Sequence, residues 1–463
     1  MNPPSQTPSS PAPSRRDFLR TTSTAAVGAA ATGALTVERS AWAAGSDEIK
    51  VGLIGCGGRG SGAANQALST SQPGVKLYAM ADAFKDRLDG AHSNLRNAKP
   101  DKVDVSDDRK FAGPDGYKQV IDQCDLVILT TPPGFRPYHF EAAVNAGKHI
   151  FMEKPVAVDA PGVRKVQEMA KIADEKNLKV VVGLQRRYQN CYIEALKQVK
   201  EQGIIGDIVS GQVYWNGGGI WFRDRLPGQS EIQYQVQNWY FFTWLCGDHI
   251  NEQHIHNIDV ANWFIGSHPE KAQGMGGRMQ RVDRKFGQIY DHHYVEFTYA
   301  NGVRVNSQCR HQSGVYNAVK EEFTGTKGIL YLDNSGRCYA NDHKGNTIWK
   351  YRPSGKVDPK DKKAAKRGGD PDPYQTEHDM LQAAVRENKP LNNAYYGAES
   401  TLTAIMGRMA TYSGKEITWD QALNSKVQHM PNIITWESEA PVKPDADGWY
   451  PIAIPGQKVE EVI

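Results

Sequence analysis

The sequence predicts an N-terminal α/β domain built on a doubly wound parallel sheet, followed by an α+β domain with a large, open, mainly antiparallel sheet. Three observations carry this. Short apolar runs alternate with helical patterns from about Glu48 to Gln185, which is the rhythm of strand–helix–strand crossovers. The first run, "IKVGLIG", ends in a glycine-rich turn. From Asp207 the runs lengthen and alternate apolar with polar residues, as in "DIVSGQVYW" and "DHHYVEFTYANGVRVNSQCRH", the pattern of half-buried strands. These features divide the chain into a leader at 1–43, a first, α/β domain at 44–186 and a second domain at 187–463. Helices at about 375–415 are expected to pack back on the first domain.

The leader comes first in order. A Pro- and Ser-rich start precedes "SRRDFLR", with Arg15 and Arg16 adjacent, then the modest apolar stretch "TAAVGAAATGALTV" and an A-x-A signal ending at Ala43. That is the pattern of a twin-arginine (Tat) export signal and predicts a periplasmic protein translocated in the folded state. The apolar stretch is too short to span a bilayer, and no membrane association is expected once the signal is removed. The leader carries four Arg against one Asp and one Glu, hence +2 of the chain's formal +3. A remainder near neutrality offers no electrostatic case for nucleic acid. The six cysteines are scattered without a C-x-x-C pair, so neither a disulfide framework nor a zinc site is read.

The glycine turn "GLIGCGGRGSG" places Gly55, Gly57 and Gly60 at G-x-G-x-x-G spacing between a strand and a helix expected over Arg59–Leu68. A second strand, "VKLYAMAD", ends at Asp82, 22 residues beyond Gly60. Strand, glycine turn, helix, strand and acidic residue in that order form the dinucleotide fingerprint. Gly55 permits the tight turn, Gly57 lets the backbone approach a pyrophosphate, and Gly60 lets the helix pack on the strand. A carboxylate at Asp82 accepts from a ribose 2′-OH and repels a 2′-phosphate, so NAD is favoured over NADP, a preference tempered by Lys85 and Arg87. The series continues through "CDLVILTTPPGFRPYH", "IFMEKP", a helix capped by Asp159 with Pro161 in its first turn, and "KVVVGLQRR".

The stretches "GLIGCGGRG", "TTPPGFRPYH" and "EKPVAVD" resemble the Gfo/Idh/MocA oxidoreductase family, which includes glucose-fructose oxidoreductase and inositol dehydrogenase. The resemblance implies hydride transfer between a nicotinamide cofactor and a ring CH–OH of a sugar, sugar derivative or cyclitol. It implies that Lys154 of the E-K-P segment lies beside the nicotinamide and contacts the reacting hydroxyl. The implied cofactor set is Gly55, Gly57, Gly58, Arg59, Gly60, Asp82, Thr131, Pro132, Glu153 and Lys154. Assembly into a dimer or tetramer through the second sheet is also implied.

Within the second domain, ahead of its longer alternating strands, lies "NWYFFTWLCGDHINEQHIHNIDVANWFIG", residues 238–266. Read as one helix from about Asp248, it puts Ile250, His254, Ile258, Ala261 and Ile265 on one stripe and Glu252, His256 and Asp259 on another. His254 then reads as a buried, hydrogen-bonded residue. His256 falls in "HNID", which resembles the family's H-x-x-D segment, where the His is the general base. Glu252 stands where the family often has Asp, and is expected to orient His256. Arg186, Tyr188, Trp239 and Asp259 are further candidates for substrate contact. No metal is expected, because His254 and His256, two apart on a helix, point about 200° from each other. The aromatic residues crowded at 214–244, including Trp215, Trp221, Trp239 and Tyr240, suit the apolar faces of sugar rings, although core packing accounts for part of them. The charged stretch 353–373 reads as a mobile surface loop.

Three functions follow. The first is an exported oxidoreductase that retains its cofactor. The second is a redox-neutral, NAD-dependent glycoside hydrolase or epimerase. The third is a non-catalytic sugar-binding protein on the same fold.

Overall fold

Six strands form the first sheet: β1 (Ile49–Ile54), β2 (Val75–Asp82), β3 (Lys110–Ala112), β4 (Leu126–Leu129), β5 (His149–Met152) and β6 (Val180–Val182). The structure, a computed structural model, describes residues 48–353, 355, 368–432 and 434–463. All six strands are parallel, in the order β3-β2-β1-β4-β5-β6. A parallel sheet must be covered on both faces, and the uninterrupted burial of "LVIL" in β4 and "HIFM" in β5 reflects that cover. The strand order reverses between β1 and β4, so the loops leaving their carboxyl ends diverge and open a crevice. The helix Ala160–Glu175 begins as its sequence suggests, with the Asp159 carboxylate accepting from the Gly162 N–H at 2.8 Å.

The second sheet has nine strands. They are β7 (Ile208–Gly217), β8 (Pro269–Gly277), β9 (His292–Tyr299), β10 (Arg304–His311), β11 (Ala318–Gly325), β12 (Gly328–Asp333), β13 (Cys338–Asp342), β14 (Thr347–Lys350) and β15 (Ile417–Thr418). Their order is β14-β13-β12-β11-β7-β10-β9-β8-β15, antiparallel throughout except for the parallel pair β7–β10. β9 and β10 alternate buried with half-exposed residues, so Val295, Phe297, Tyr299, Val305 and Cys309 face the core. The tight turn between them uses Gly302 at φ +81°.

Two C-terminal helices return to the first domain. In Pro373–Arg386, the Gln375 and Gln382 side chains donate to the Gln66 and Ala67 carbonyls, both at 2.9 Å. The helix Ala394–Ser413 packs against Ala160–Glu175 on one side and β8 and β9 on the other, which is why nearly every residue from Gly397 to Ser413 is buried. The export signal lies outside the described residues, as does most of the charged stretch 353–373. Among the described residues no helix is long and apolar enough to cross a membrane.

Candidate active site

The loops at the carboxyl ends of β1, β2, β4 and β5 face Trp215, Glu252 and His256 across a cavity of about 500 Å³. The glycine turn forms its floor. Gly55 sits at φ +96°, and a Cβ there would fall 2.7 Å from the backbone at Thr130 and Thr131. At Gly60 a Cβ would lie 1.9 Å from the Gly55 carbonyl oxygen, so the helix Gly58–Leu68 could not approach β1 as it does. Gly57 and Gly58 differ, because a Cβ on either would meet nothing within 4 Å although both line the cavity. That helix has no side-chain cap, so its first-turn N–H groups are left to a ligand.

Asp82 closes one end. Its carboxylate accepts from the Cys56 N–H at 2.6 Å and the Phe84 N–H at 2.9 Å, and burial raises its pKa above the ordinary value. Each oxygen keeps a lone pair for a further donor. Arg87 lines the cavity beside it, whereas Lys85 pairs outward with Asp89. Thr131 and Pro132 line the wall after β4. There Arg136, which the sequence did not single out, donates to the Leu129 and Thr131 carbonyls at 2.6 and 2.7 Å, and burial pulls its guanidinium down to about 10. Glu153 accepts from Arg59 Nε at 2.5 Å, and the Arg59 guanidinium lies 4.8 Å from the Tyr374 ring.

Lys154, whose peptide bond to Pro155 is cis, reaches across to the second domain. Its Nζ donates to the Glu252 carbonyl at 2.7 Å and to Glu252 Oε1 at 3.3 Å. Burial pushes the Glu252 carboxyl up to about 7 against the opposing pull of Lys154. His256 is 5% exposed and stacks on Trp215, with centroids 5.7 Å apart. Burial first, then Lys154 and Arg186, push its imidazole well below the ordinary value, so the ring is neutral across the physiological range.

The expected single helix is broken. His249–Glu252 and Ile255–Ile265 are separate helices with Gln253 and His254 between them. The four-residue spacing therefore does not set Glu252 on His256. The Glu252 carboxylate faces Lys154 instead, and no Glu252–His256 hydrogen bond forms among the described residues. His254 is fully buried and bonded to Ser307 at 2.7 Å, away from the cavity lining.

Three of the four candidate substrate contacts are engaged elsewhere. Arg186 is buried in an ion pair with Glu321, which also accepts from Tyr192 and Asn257. The Tyr188 hydroxyl bonds Asn393. Asp259 receives a two-pronged pair from Arg187, at 2.8 and 2.9 Å, and a bond from Ser400. None of the three lines the cavity, while Trp239 does. Each was misplaced because its partner lies far along the chain. Beyond the sequence candidates, the cavity also takes Tyr374 from the helix Pro373–Arg386, and Ile434 and Trp436 from the C-terminal segment. Trp436 packs on Phe84 with centroids 5.5 Å apart. Ile434 and Trp436 lie in an irregular segment with no periodic signal, and Tyr374 sits in the first turn of a helix whose docking on the first domain the chain reaches only through tertiary packing. Among the described residues no group of three or more His, Cys, Asp or Glu could hold a metal ion.

Residues 49–184 match the oxidoreductase family model with an NAD-binding Rossmann fold, and residues 193–331 match the GFO/IDH/MocA C-terminal domain. An inositol 2-dehydrogenase from Rubrobacter xylanophilus is 28% identical over 291 residues, 62% of this chain and 72% of that protein. A scyllo-inositol 2-dehydrogenase (NAD(+)) from Bacillus subtilis is 24% identical over 62% of this chain and 74% of its own. In fold, the chain is similar to scyllo-inositol dehydrogenase from Lactobacillus casei, solved with NAD(H) and scyllo-inositol. That likeness has a TM-score of 0.59 and 22% identity, and covers 81% of this chain and 99% of that one. Aldose-aldose oxidoreductase from Caulobacter crescentus gives a TM-score of 0.61 at 17% identity, with 80% and 99% covered.

Proposed function

The chain belongs to the GFO/IDH/MocA oxidoreductase family, and on that premise we propose that it oxidises a ring CH–OH of a sugar, sugar derivative or cyclitol at Lys154 and His256. It is an NAD-binding oxidoreductase acting on CH–OH groups. One observation carries the finer reading: Lys154 and a neutral His256 share one cavity with an open glycine floor. The floor fits NAD, because the clear space over Gly57 and Gly58 and the uncapped helix end suit a pyrophosphate.

NAD held over Gly57 and Gly58 with its ribose at Asp82 would supply the hydride acceptor, so that oxidation of a CH–OH to C=O would release one proton for the protein to take. His256, kept neutral by burial, takes the hydroxyl proton. Lys154 has three ammonium donors and commits two of them to Glu252, which leaves the third to polarise the reacting oxygen. Glu252 thus acts as a positioning residue for Lys154. Trp215 holds the His256 ring in plane.

Export through the twin-arginine route, periplasmic residence and assembly through the second sheet belong to this reading. A protein that folds before export carries its cofactor with it, and away from a free nicotinamide pool the hydride returns either to a second carbonyl substrate or to the same one. Mass spectrometry of the denatured native protein is expected to release NAD(H). Incubation with a panel of sugars and cyclitols is expected to reduce the bound NAD. Absence of both the cofactor and any reduction would sink the proposal.

A further inference from the structure

Lys154, Glu252 and His256 line the same cavity as a run of three aromatic rings that ends in an exposed tryptophan. Tyr240 comes first. Its hydroxyl contacts His311 Nε2 at 3.0 Å and His249 Nδ1 at 3.3 Å, and its ring meets the His311 ring edge-to-face with centroids 5.6 Å apart. Trp239 follows, 5.3 Å from Tyr240 between centroids, and Trp221 lies 6.0 Å beyond Trp239. All three line the cavity. Trp221 is 40% exposed, an unusual state for the largest apolar side chain, and the Arg223 guanidinium lies 4.9 Å from its ring.

The rim is a built feature. Trp221 and Arg223 belong to the irregular loop after β7, and this loop is clamped by Asn238, which is fully buried. Asn238 accepts from the Arg223 N–H at 3.0 Å and donates to the Arg223 carbonyl at 2.9 Å, so both backbone groups of that residue are pinned. The Gly219 N–H is tied to Ser313 Oγ at 3.3 Å. With the loop backbone pinned, the Trp221 ring rests against Trp239 with the two planes tilted by 56° and meets Phe241 edge-on at 6.3 Å, so the pair forms an angled aromatic wall, and an ordered aromatic face costs a ligand little to engage.

One pyranose or cyclitol ring satisfies the reacting corner. On the Lys154–His256 reading it would lie against Trp215 and present a hydroxyl to Lys154 and His256, all three of which line the cavity. The platform Trp239–Trp221 is then left over, at the exit of the same cavity, with a cation at its edge. We propose that the substrate is a glycoside whose second ring, attached through the glycosidic oxygen of the reacting ring, stacks on Trp221 and Trp239. The inference rests on the Lys154–His256 reading for the position of the first ring. A second sugar and an aromatic aglycone share the chemistry that the platform recognises, a flat face with polarised C–H or π character.

The test uses the NAD-loaded full chain and matched ligands in gluco, galacto, manno and xylo configuration: the methyl pyranoside, the phenyl pyranoside and a disaccharide. Binding is followed by titration calorimetry and oxidation by reduction of the nicotinamide. For at least one configuration a two-ring ligand is expected to bind about tenfold or more tightly than its methyl partner, the scale of one aromatic stacking contact. Trp221→Ala, a change at the exposed rim that does not threaten folding, should erase most of that difference. Preference for the disaccharide assigns the platform to a sugar, and preference for the phenyl glycoside assigns it to an aglycone. Equal binding of one- and two-ring ligands in every configuration overturns the proposal, as does an equal loss for both classes in Trp221→Ala. Two-ring ligands that bind in a Trp221-dependent way without being oxidised leave this subsite standing and refute the catalytic reading.

Discussion

The cavity has two walls built in different ways. On the first-domain side, Gly55, Gly57, Gly60, Asp82, Thr131 and Glu153 follow the ends of neighbouring parallel strands, and their positions are set by backbone geometry. On the other side, Trp215, Trp221, Tyr240, Glu252, His256, Tyr374 and Trp436 come from β7 and the loop after it, from the 240–256 region, from the helix Pro373–Arg386 and from the C-terminal segment. Short-range geometry fixes the first wall, while tertiary packing alone assembles the second. The first wall is suited to a constant ligand and the second to a variable one.

If that division holds, damage to the second wall should remove chemistry and leave cofactor in place. His256→Ala is expected to lower turnover by about 10² to 10⁴, the usual cost of a positioned base, while the amount of NAD(H) that co-purifies stays the same. His254→Ala should instead lower thermal stability, because His254 is a fully buried ring bonded to Ser307. A stable, inactive His254→Ala beside an active His256→Ala would reverse the assignment.

The converse experiment strikes the first wall. Gly60→Ala places a Cβ against the Gly55 carbonyl, a backbone atom that cannot swing aside. The expected cost is about 2–3 kcal/mol of stability, typical of a forced backbone shift, together with loss of co-purifying NAD(H). Gly57→Ala meets no protein atom, so its effect should fall on cofactor affinity alone. Equal destabilisation by the two changes would show that the turn is not shaped for a ligand.

The two walls were unequally legible in the sequence for the same reason. The glycine spacing, Asp82 and Lys154 could be placed because strand, turn and helix follow one another within a few residues. The short H-x-x-D segment pointed to His256, which lines the cavity, but the expected Glu252–His256 pairing does not form. The four-residue spacing to Glu252 implies contact only along a continuous helix, and the chain breaks at Gln253 and His254. Arg186 and Asp259 carry charge in a promising region, yet Glu321 and Arg187 neutralise them in the interior. A buried ion pair between residues 135 apart leaves no trace in periodicity.

Where the walls meet, pH should report the Lys154–Glu252 contact. Burial raises Glu252 to about 7, so oxidation should speed up as pH rises through about 7, when the ionised carboxylate holds Lys154 most firmly. Stability should move the opposite way. Because the folded value lies above the ordinary carboxyl value of 4.5, the stability tied to this group is fully present below that value and is lost as pH rises to about 7. Glu252→Gln keeps an acceptor for Lys154 and removes the charge. It is expected to flatten the rate profile near neutrality and to cost roughly thirtyfold in turnover above it, about 2 kcal/mol and the scale of one charged hydrogen bond. An unchanged profile in the variant would assign the ionisation to another group.

The smallest expected effect separates NAD from NADP on the first wall. Asp82 holds the Cys56 and Phe84 N–H groups and still has lone pairs for a ribose hydroxyl, while Arg87 lines the cavity next to it. With the carboxylate present, a 2′-phosphate meets repulsion from Asp82 that Arg87 only partly offsets. Asp82→Ala should therefore weaken NAD by about 1–2 kcal/mol, the value of a charged hydrogen bond. NADP should weaken less or gain, because Arg87 then faces the phosphate alone. Part of the NAD loss reflects the freed N–H groups of the turn, and that part falls on both cofactors equally. The ratio of the two affinities isolates the remainder. Adding Arg87→Ala to Asp82→Ala should cancel the shift in that ratio, since no charge is left to distinguish the ribose from its phosphate. A ratio that Asp82→Ala leaves unchanged would mean that the second wall, through Trp436 on Phe84, positions the adenosine end instead.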